Sequence, residues 1–167
     1  MSVKTFFLIP RPPFRLDLAV WTLRRRPDNV VDRWDGDFYR RVLPLSDGAV
    51  EVSVQQFGQS DAPKLKIIVT GRSLSTDTKA AVTPVLQRLL GLNVDLEGFY
   101  KFAAHHKALH ALATRFQGMK PPQFASIFEG LINAIACQQL TLTVGIQLLN
   151  RLARSFGPVF GAANALS

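Results

Sequence analysis

The sequence predicts an α+β fold: an N-terminal antiparallel sheet with helices, followed by a purely helical segment. Three observations carry this. Val50, Val52 and Val54 alternate with Glu51 and Ser53, the period of a strand with one wet face. The pairs Asp35-Gly36 and Asp47-Gly48 are turn signals between β-branched or aromatic runs. From Ser75 onward apolar residues recur at helical spacing, and no further alternating run occurs.

Val3 to Ile9 is β-branched and aromatic, is bounded by prolines, and predicts the first strand. Leu16 to Arg26 predicts a short helix with Leu16, Ala19, Val20 and Leu23 on its apolar face and Asp17 in its first turn. Arg24-Arg25-Arg26 is expected to be its solvated end, with a DNA-facing patch as the alternative. Val30 to Trp34, Phe38 to Leu45, Ala49 to Gln56 and Leu65 to Thr70 predict four more strands. Ser75 to Leu90 predicts a helix with Val82, Val85, Leu86 and Leu89 inward. Pro84 should kink it or delay its start, and Gly91 should end it. Asp95 to Ala113 predicts one or two short helices, and residues 115–122 a loop. The domains expected are therefore 1–92 and 93–167, with the seam near Gly91 to Asp95.

Within the second segment, Pro121 and Pro122 prevent an earlier helix from running into the next one. Ser126 and Glu129 have capping-box spacing, and Ile127, Phe128, Leu131, Ile132 and Ile135 make a strongly apolar helix face. The run stops at Cys137-Gln138-Gln139. Thr141 and Thr143 offer caps for a second helix, with Leu142, Gly145, Leu149, Leu152 and Phe156 on one face. Two helices meet at a tight, polar, uncharged corner. Gln138 and Gln139 have an ordinary role there, satisfying orphan carbonyls at a helix end. They also have a nucleic-acid role, in which the amides opening the second helix hold a phosphate and a Gln enters the minor groove.

The chain has 167 residues, 47% apolar and 19% charged, which suits one ordinary domain or two small ones and excludes disorder. Its formal charge of +8 suggests a polyanionic partner. From Lys101 onward there are six Lys or Arg and one acid, Glu129. The single cysteine, Cys137, rules out an internal disulfide and reads as a small buried hydrophobe. No run suits a signal peptide or a membrane span, so the expected location is cytoplasmic, with no membrane partner. His105, His106 and His110 share a helical stretch, but no acid or cysteine nearby completes a metal set. No metal and no cofactor is expected.

The stretch FQGMKPPQFASIFEGLINAIACQQLTLTVGIQLLNRL resembles the opening of the catalytic domain of the helix-hairpin-helix DNA glycosylases, in the bacterial 3-methyladenine glycosylase II (AlkA-like) branch. Gly118, Pro122, Phe124, Phe128, Ala134, Ile135, Gln138, Gln139 and Thr141 stand where that pattern has them. RPPFRLDLAVWTLRRR and DRWDGDFYRRVL are similar to the family's first domain, an α+β layer like one repeat of a TATA-binding protein. The resemblance implies that Gln139 fills the gap left by a flipped nucleotide, that Gln138 supports the corner or touches the minor groove, and that Thr141 belongs to the same DNA-binding set. It implies that Trp21 lines the base pocket, against its ordinary role as a core tryptophan. The partner implied is duplex DNA carrying a damaged base.

The family also uses a hairpin with a Gly-x-Gly turn and a later aspartate, and neither occurs before Ser167. No catalytic residue is therefore assigned, and the expected function is the N-terminal portion of a base-excision glycosylase, itself inactive and retaining at most DNA contact. Such a portion should expose an apolar helix face over Leu142 to Phe156 and self-associate through it. The alternative is a non-enzymatic α+β module that binds nucleic acid or protein and exposes no such face.

Overall fold

The computed structural model describes residues 1–46, 48–121, 123–158 and 160. Five strands form one antiparallel sheet in the order β1-β5-β4-β3-β2. They are β1 (Ser2–Leu8), β2 (Arg33–Trp34), β3 (Phe38–Leu45), β4 (Gly48–Phe57) and β5 (Lys64–Gly71). The helices are α1 (Leu16–Arg24), α2 (Thr78–Leu89), α3 (Glu97–Ala104), α4 (Lys107–Arg115), α5 (Ile127–Cys137) and α6 (Leu142–Phe156). The fold is α+β, as the sequence predicts.

Alternation sets the layers. Tyr39, Val52, Val54, Leu65, Ile67 and Val69 point inward and are fully buried, while their strand neighbours face out. The four residues expected on the apolar face of α1 are all buried against them. So are Val82, Leu86 and Leu89 of α2, with Val85 packed alongside.

The boundaries of α1, β2 and α2 differ from expectation. Helix α1 ends at Arg24 rather than Arg26, because Arg25 is left-handed (φ +57°) and its N–H returns to the Trp21 carbonyl at 3.1 Å. The strand expected over Val30 to Trp34 shrinks to Arg33–Trp34. Asn29 Oδ1 accepts the N–H groups of Val31 (2.9 Å) and Asp32 (3.1 Å), and Asn150 Oδ1 accepts that of Val30 (3.0 Å). Donors that would build a ladder are already taken. Helix α2 starts at Thr78, three residues late, and runs through Pro84, which lies on its exposed side. It closes as a Schellman motif, with Gly91 N–H to Arg88 O (3.3 Å) and Leu92 N–H to Gln87 O (3.0 Å), and Gly91 supplies the positive φ of +61°. The one or two short helices expected from Asp95 to Ala113 are two, parted at His105-His106.

The Asp35-Gly36 turn forms as predicted, with Asp35 Oδ1 accepting from Phe38 N (2.7 Å) and Asp37 N (3.0 Å). In the other predicted turn, Asp47 lies outside the described residues. Among the described residues, no helix is long and apolar enough to cross a membrane.

Candidate nucleic-acid interface

The corner between α5 and α6 is built by two caps. Ser126 Oγ accepts Glu129 N–H (3.1 Å) at the start of α5, and Thr141 Oγ1 accepts Val144 N–H (3.3 Å) at the start of α6. Between them Gln138 is extended and Gln139 is left-handed (φ +56°), an uncommon conformation for a residue with a side chain. Both glutamines are exposed, and among the described residues neither side-chain amide has a hydrogen-bond partner. Gly145 lets α6 approach the end of α5. A Cβ there would lie 2.7 Å from Cys137 Sγ and 3.1 Å from the Ala136 carbonyl oxygen. Cys137 is half-buried rather than buried.

The capping box forms only on one side. The Glu129 carboxylate does not return to Ser126 but reaches the sheet, where it accepts from Arg41 Nη2 at 2.6 Å. Arg41 also donates to Asp32 (2.8 Å), which accepts from the Tyr39 hydroxyl (2.7 Å). Burial works against the Arg41 charge, but Asp32, Tyr39 and Glu129 outweigh it and hold the guanidinium above its ordinary pKa. Burial, reinforced by the Asp32 carboxylate, pushes the Tyr39 phenol well above its ordinary value.

The arginine triplet is not simply a solvated helix end. Arg25 donates to Asn133 Oδ1 on α5 and lies 3.8 Å from Cys137 Sγ, so α1 braces the turn that precedes the glutamines. Asn150 of α6 completes the attachment by donating to the Asp28 carbonyl at 2.7 Å. Arg24 caps Pro27 O (2.8 Å) and Arg26 faces Asp28 (3.4 Å). No spacing rule links Arg25 to Asn133 or Arg41 to Glu129. The only sequence signal was a cation run and a lone late acid.

Trp21 is not a core residue. It is 60% exposed, and its ring lies parallel to Phe116, with centroids 6.2 Å apart and planes within 7°. The two rings, Trp34 and the triplet line an open cleft of about 450 Å³. Because Arg25 lines the cleft and touches Cys137, the cleft and the glutamine corner are neighbours. Of the expected pattern, Pro122 lies outside the described residues. Phe124 packs beneath α5, where a Cβ on Gly130 would come within 3.3 Å of its ring.

The apolar faces of the hairpin point outward. Ile127, Phe128, Leu131 and Ile135 are 57–76% exposed, and Leu142, Leu152 and Phe156 are 40–83% exposed. Only Ile132 and Leu149 of the two predicted stripes are half-buried, and Gly145 is buried. The buried positions are Asn133 on α5 and Gly145, Ile146 and Asn150 on α6. His105 backs onto the Lys101 carbonyl (2.8 Å) and His106 lies against Phe102. No group of three or more His, Cys, Asp or Glu that could hold a metal ion occurs among the described residues.

No family model matches the chain, and no curated protein matches it. A solved structure described as a 3-methyladenine DNA-glycosylase from Archaeoglobus fulgidus is similar to it, with a TM-score of 0.71 and 24% identity. The match covers 90% of this chain and 50% of that one, so the chain spans half the length of that structure. At this identity the likeness defines the fold.

Proposed function

We propose that the chain is the N-terminal portion of a DNA base-excision glycosylase of the AlkA-like kind, and that the α5–α6 corner is its contact with duplex DNA. The observation that carries this is the pair of exposed, unpartnered glutamine amides, one in a left-handed conformation, at a corner braced by Arg25 and bordering the Trp21 cleft. Gln139 enters the duplex where a nucleotide has been extruded and offers both donor and acceptor to the orphaned base. Gln138 meets the minor-groove edge. Thr141 shapes the opening turn of α6, whose amides face a backbone phosphate. Trp21 is a wall of the base pocket, with Phe116 stacked behind or beside it.

The substrate of the whole protein is an alkylated base such as 3-methyladenine, and this chain alone does not cleave the glycosidic bond. Glu129, the one acid after Glu97, is committed to Arg41. The outward apolar faces favour this account over a self-contained binding module, which would leave no such face bare. Through them the chain is expected to self-associate.

The test is binding of a labelled 20-base-pair duplex between about 50 and 200 mM salt. Affinity should fall steeply with salt, and Q139A should weaken binding to a duplex with an abasic gap more than to intact duplex. A salt-independent affinity would refute the DNA contact.

A further inference from the structure

The face of the sheet turned away from the core carries a pattern that the corner does not explain. The strand register places Phe7 of β1 beside Lys66 of β5, Lys66 beside Gln55 of β4, and Gln55 beside Phe38 of β3. The next pair toward the strand ends is Phe57 with Lys64. All six point outward, because their strand neighbours Phe6, Leu65, Ile67, Val54 and Tyr39 face the core.

Phe7 is 48% and Phe57 46% exposed, and the packed helices α1 and α2 lie on the opposite face. Lys64 Nζ sits 4.2 Å over the Phe7 ring, and the Arg40 guanidinium lies 5.0 Å from the Phe38 ring centre. Arg40 is paired with Asp35, and Gln55 donates to Asp37 at 2.6 Å. Among the described residues neither Lys64 nor Lys66 has a carboxylate partner. Asp37, held only by the Gln55 amide among the described residues, sets one negative charge against the two lysines, so the balance on this face is positive and is interleaved with phenyl rings. At about 4.8 Å per strand, Phe7 and Phe38 stand about 14 Å apart.

We propose that this sheet face binds a single-stranded nucleic-acid segment. Bases stack on Phe7 and Phe57, which is sequence-tolerant because every base has a π face, and Lys64 and Lys66 turn to the flanking phosphates. A four-stranded platform with exposed aromatics holds two or three bases in this way. Duplex is excluded, because its bases are already stacked on one another and present no free face to a ring. The surface is independent of the α5–α6 corner. Arg41, which ties α5 to β3, projects from the inward face of the same strand from which Phe38 and Arg40 project outward.

The experiment is fluorescence anisotropy of the protein with a labelled eight-nucleotide single strand across a salt series. F57A should raise Kd at least about fivefold, the loss expected for one stacked base, while F57Y retains binding. Phe57 is half-exposed at a strand end, so the fold tolerates the change, and circular dichroism checks it. K66Q should reduce the slope of log K against log salt by about 0.7, one phosphate contact on a single strand. Q139A should leave all of this unchanged while weakening gapped-duplex binding, so failure at either surface is seen separately. Undetectable single-strand binding at 1 mM protein overturns the proposal. So does binding that F57A and K66Q leave intact, or that Q139A and W21A alone abolish.

Discussion

Replacing Arg41 by Met tests how the helical hairpin is held on the sheet. The Arg41 side chain is 7% exposed and joins Asp32, which is 8% exposed, to Glu129, which is 23% exposed. In R41M the Asp32 carboxylate stays buried with only the Tyr39 hydroxyl to satisfy it, and Glu129 loses its anchor. Breaking a buried pair from one side costs about 3–5 kcal/mol, because a charge is left without compensation. E129Q is milder. An amide oxygen can still accept from Arg41, and Asp32 continues to neutralise it, so a loss of about 1–2 kcal/mol is expected. With a urea dependence near the upper end of about 1–3 kcal/mol per molar, R41M should lower the unfolding midpoint by about 1–2 M and E129Q by about 0.5 M. Hydrogen exchange should show α5 losing protection before β4 and β5 in both variants. If R41M shifts the midpoint by less than about 0.3 M, or if α5 and β4 lose protection together, the idea that this ion network pins the hairpin is wrong.

Other outcomes follow from single contacts. G145A should cost about 1–3 kcal/mol, since the new methyl meets Cys137 Sγ at 2.7 Å and the Ala136 carbonyl at 3.1 Å. Adding C137A should recover only part of this, and recovery in full would show that the backbone contact is immaterial. The Phe38 N–H, then the Arg40 guanidinium and the Asp37 N–H, hold the Asp35 carboxyl well below its ordinary range. Its contribution is thus present above the ordinary carboxylate pKa and is lost only as pH falls through the depressed one, and NMR titration should place its midpoint below the ordinary aspartate range. Burial depresses the Lys120 ammonium, which is 1% exposed and donates to Val94 O at 2.8 Å. The unfolded chain therefore binds the extra proton, so the stability of the wild type relative to K120M should rise as pH climbs toward the ordinary lysine range. Sedimentation at micromolar concentration should show self-association that L131Q and I135Q together reduce, and a monomer at all concentrations would count against exposed hairpin faces.

The sheet was legible because period-two alternation and the Asp35-Gly36 turn are local signals, and so was the corner, whose caps lie within three residues of what they cap. The Asn29 segment was not. Its β-branched Val30 and Val31 favour a strand, but side-chain oxygens of Asn29 and Asn150 take the amides first, and Asn150 is 120 residues away from Val30. The same limit hid Arg25 and Arg41. Arg25 read as a solvated helix end and Arg41 carried no signal, because the partner, Asn133 or Glu129, is 108 or 88 residues distant. Trp21 falls between the two cases. Helical spacing already puts it off the Leu16-Ala19-Val20-Leu23 stripe of α1, but only packing shows that it leans on Phe116.

The hairpin reverses the usual division of labour in an amphipathic helix pair. Its inward contacts are mostly amides and charges, namely Asn133 with Arg25, Asn150 with Asp28 and Val30, and Glu129 with Arg41, beside one fully buried apolar side chain, Ile146. Most of its apolar stripe is exposed, with only Ile132 and Leu149 half-buried and Gly145 buried among the described residues. Hydrophobic burial is indifferent to direction, whereas hydrogen bonds and ion pairs fix angle and register. A hairpin attached by polar groups is therefore oriented before its apolar face is covered, and a groove of about 580 Å³ bounded by Phe128, Leu152, Phe156 and the Arg41 network stays open beside it. In the function proposed above this order matters. The glutamine corner must meet DNA at a set distance from Trp21, and the polar attachment fixes that distance independently of whatever apolar surface closes over α5 and α6.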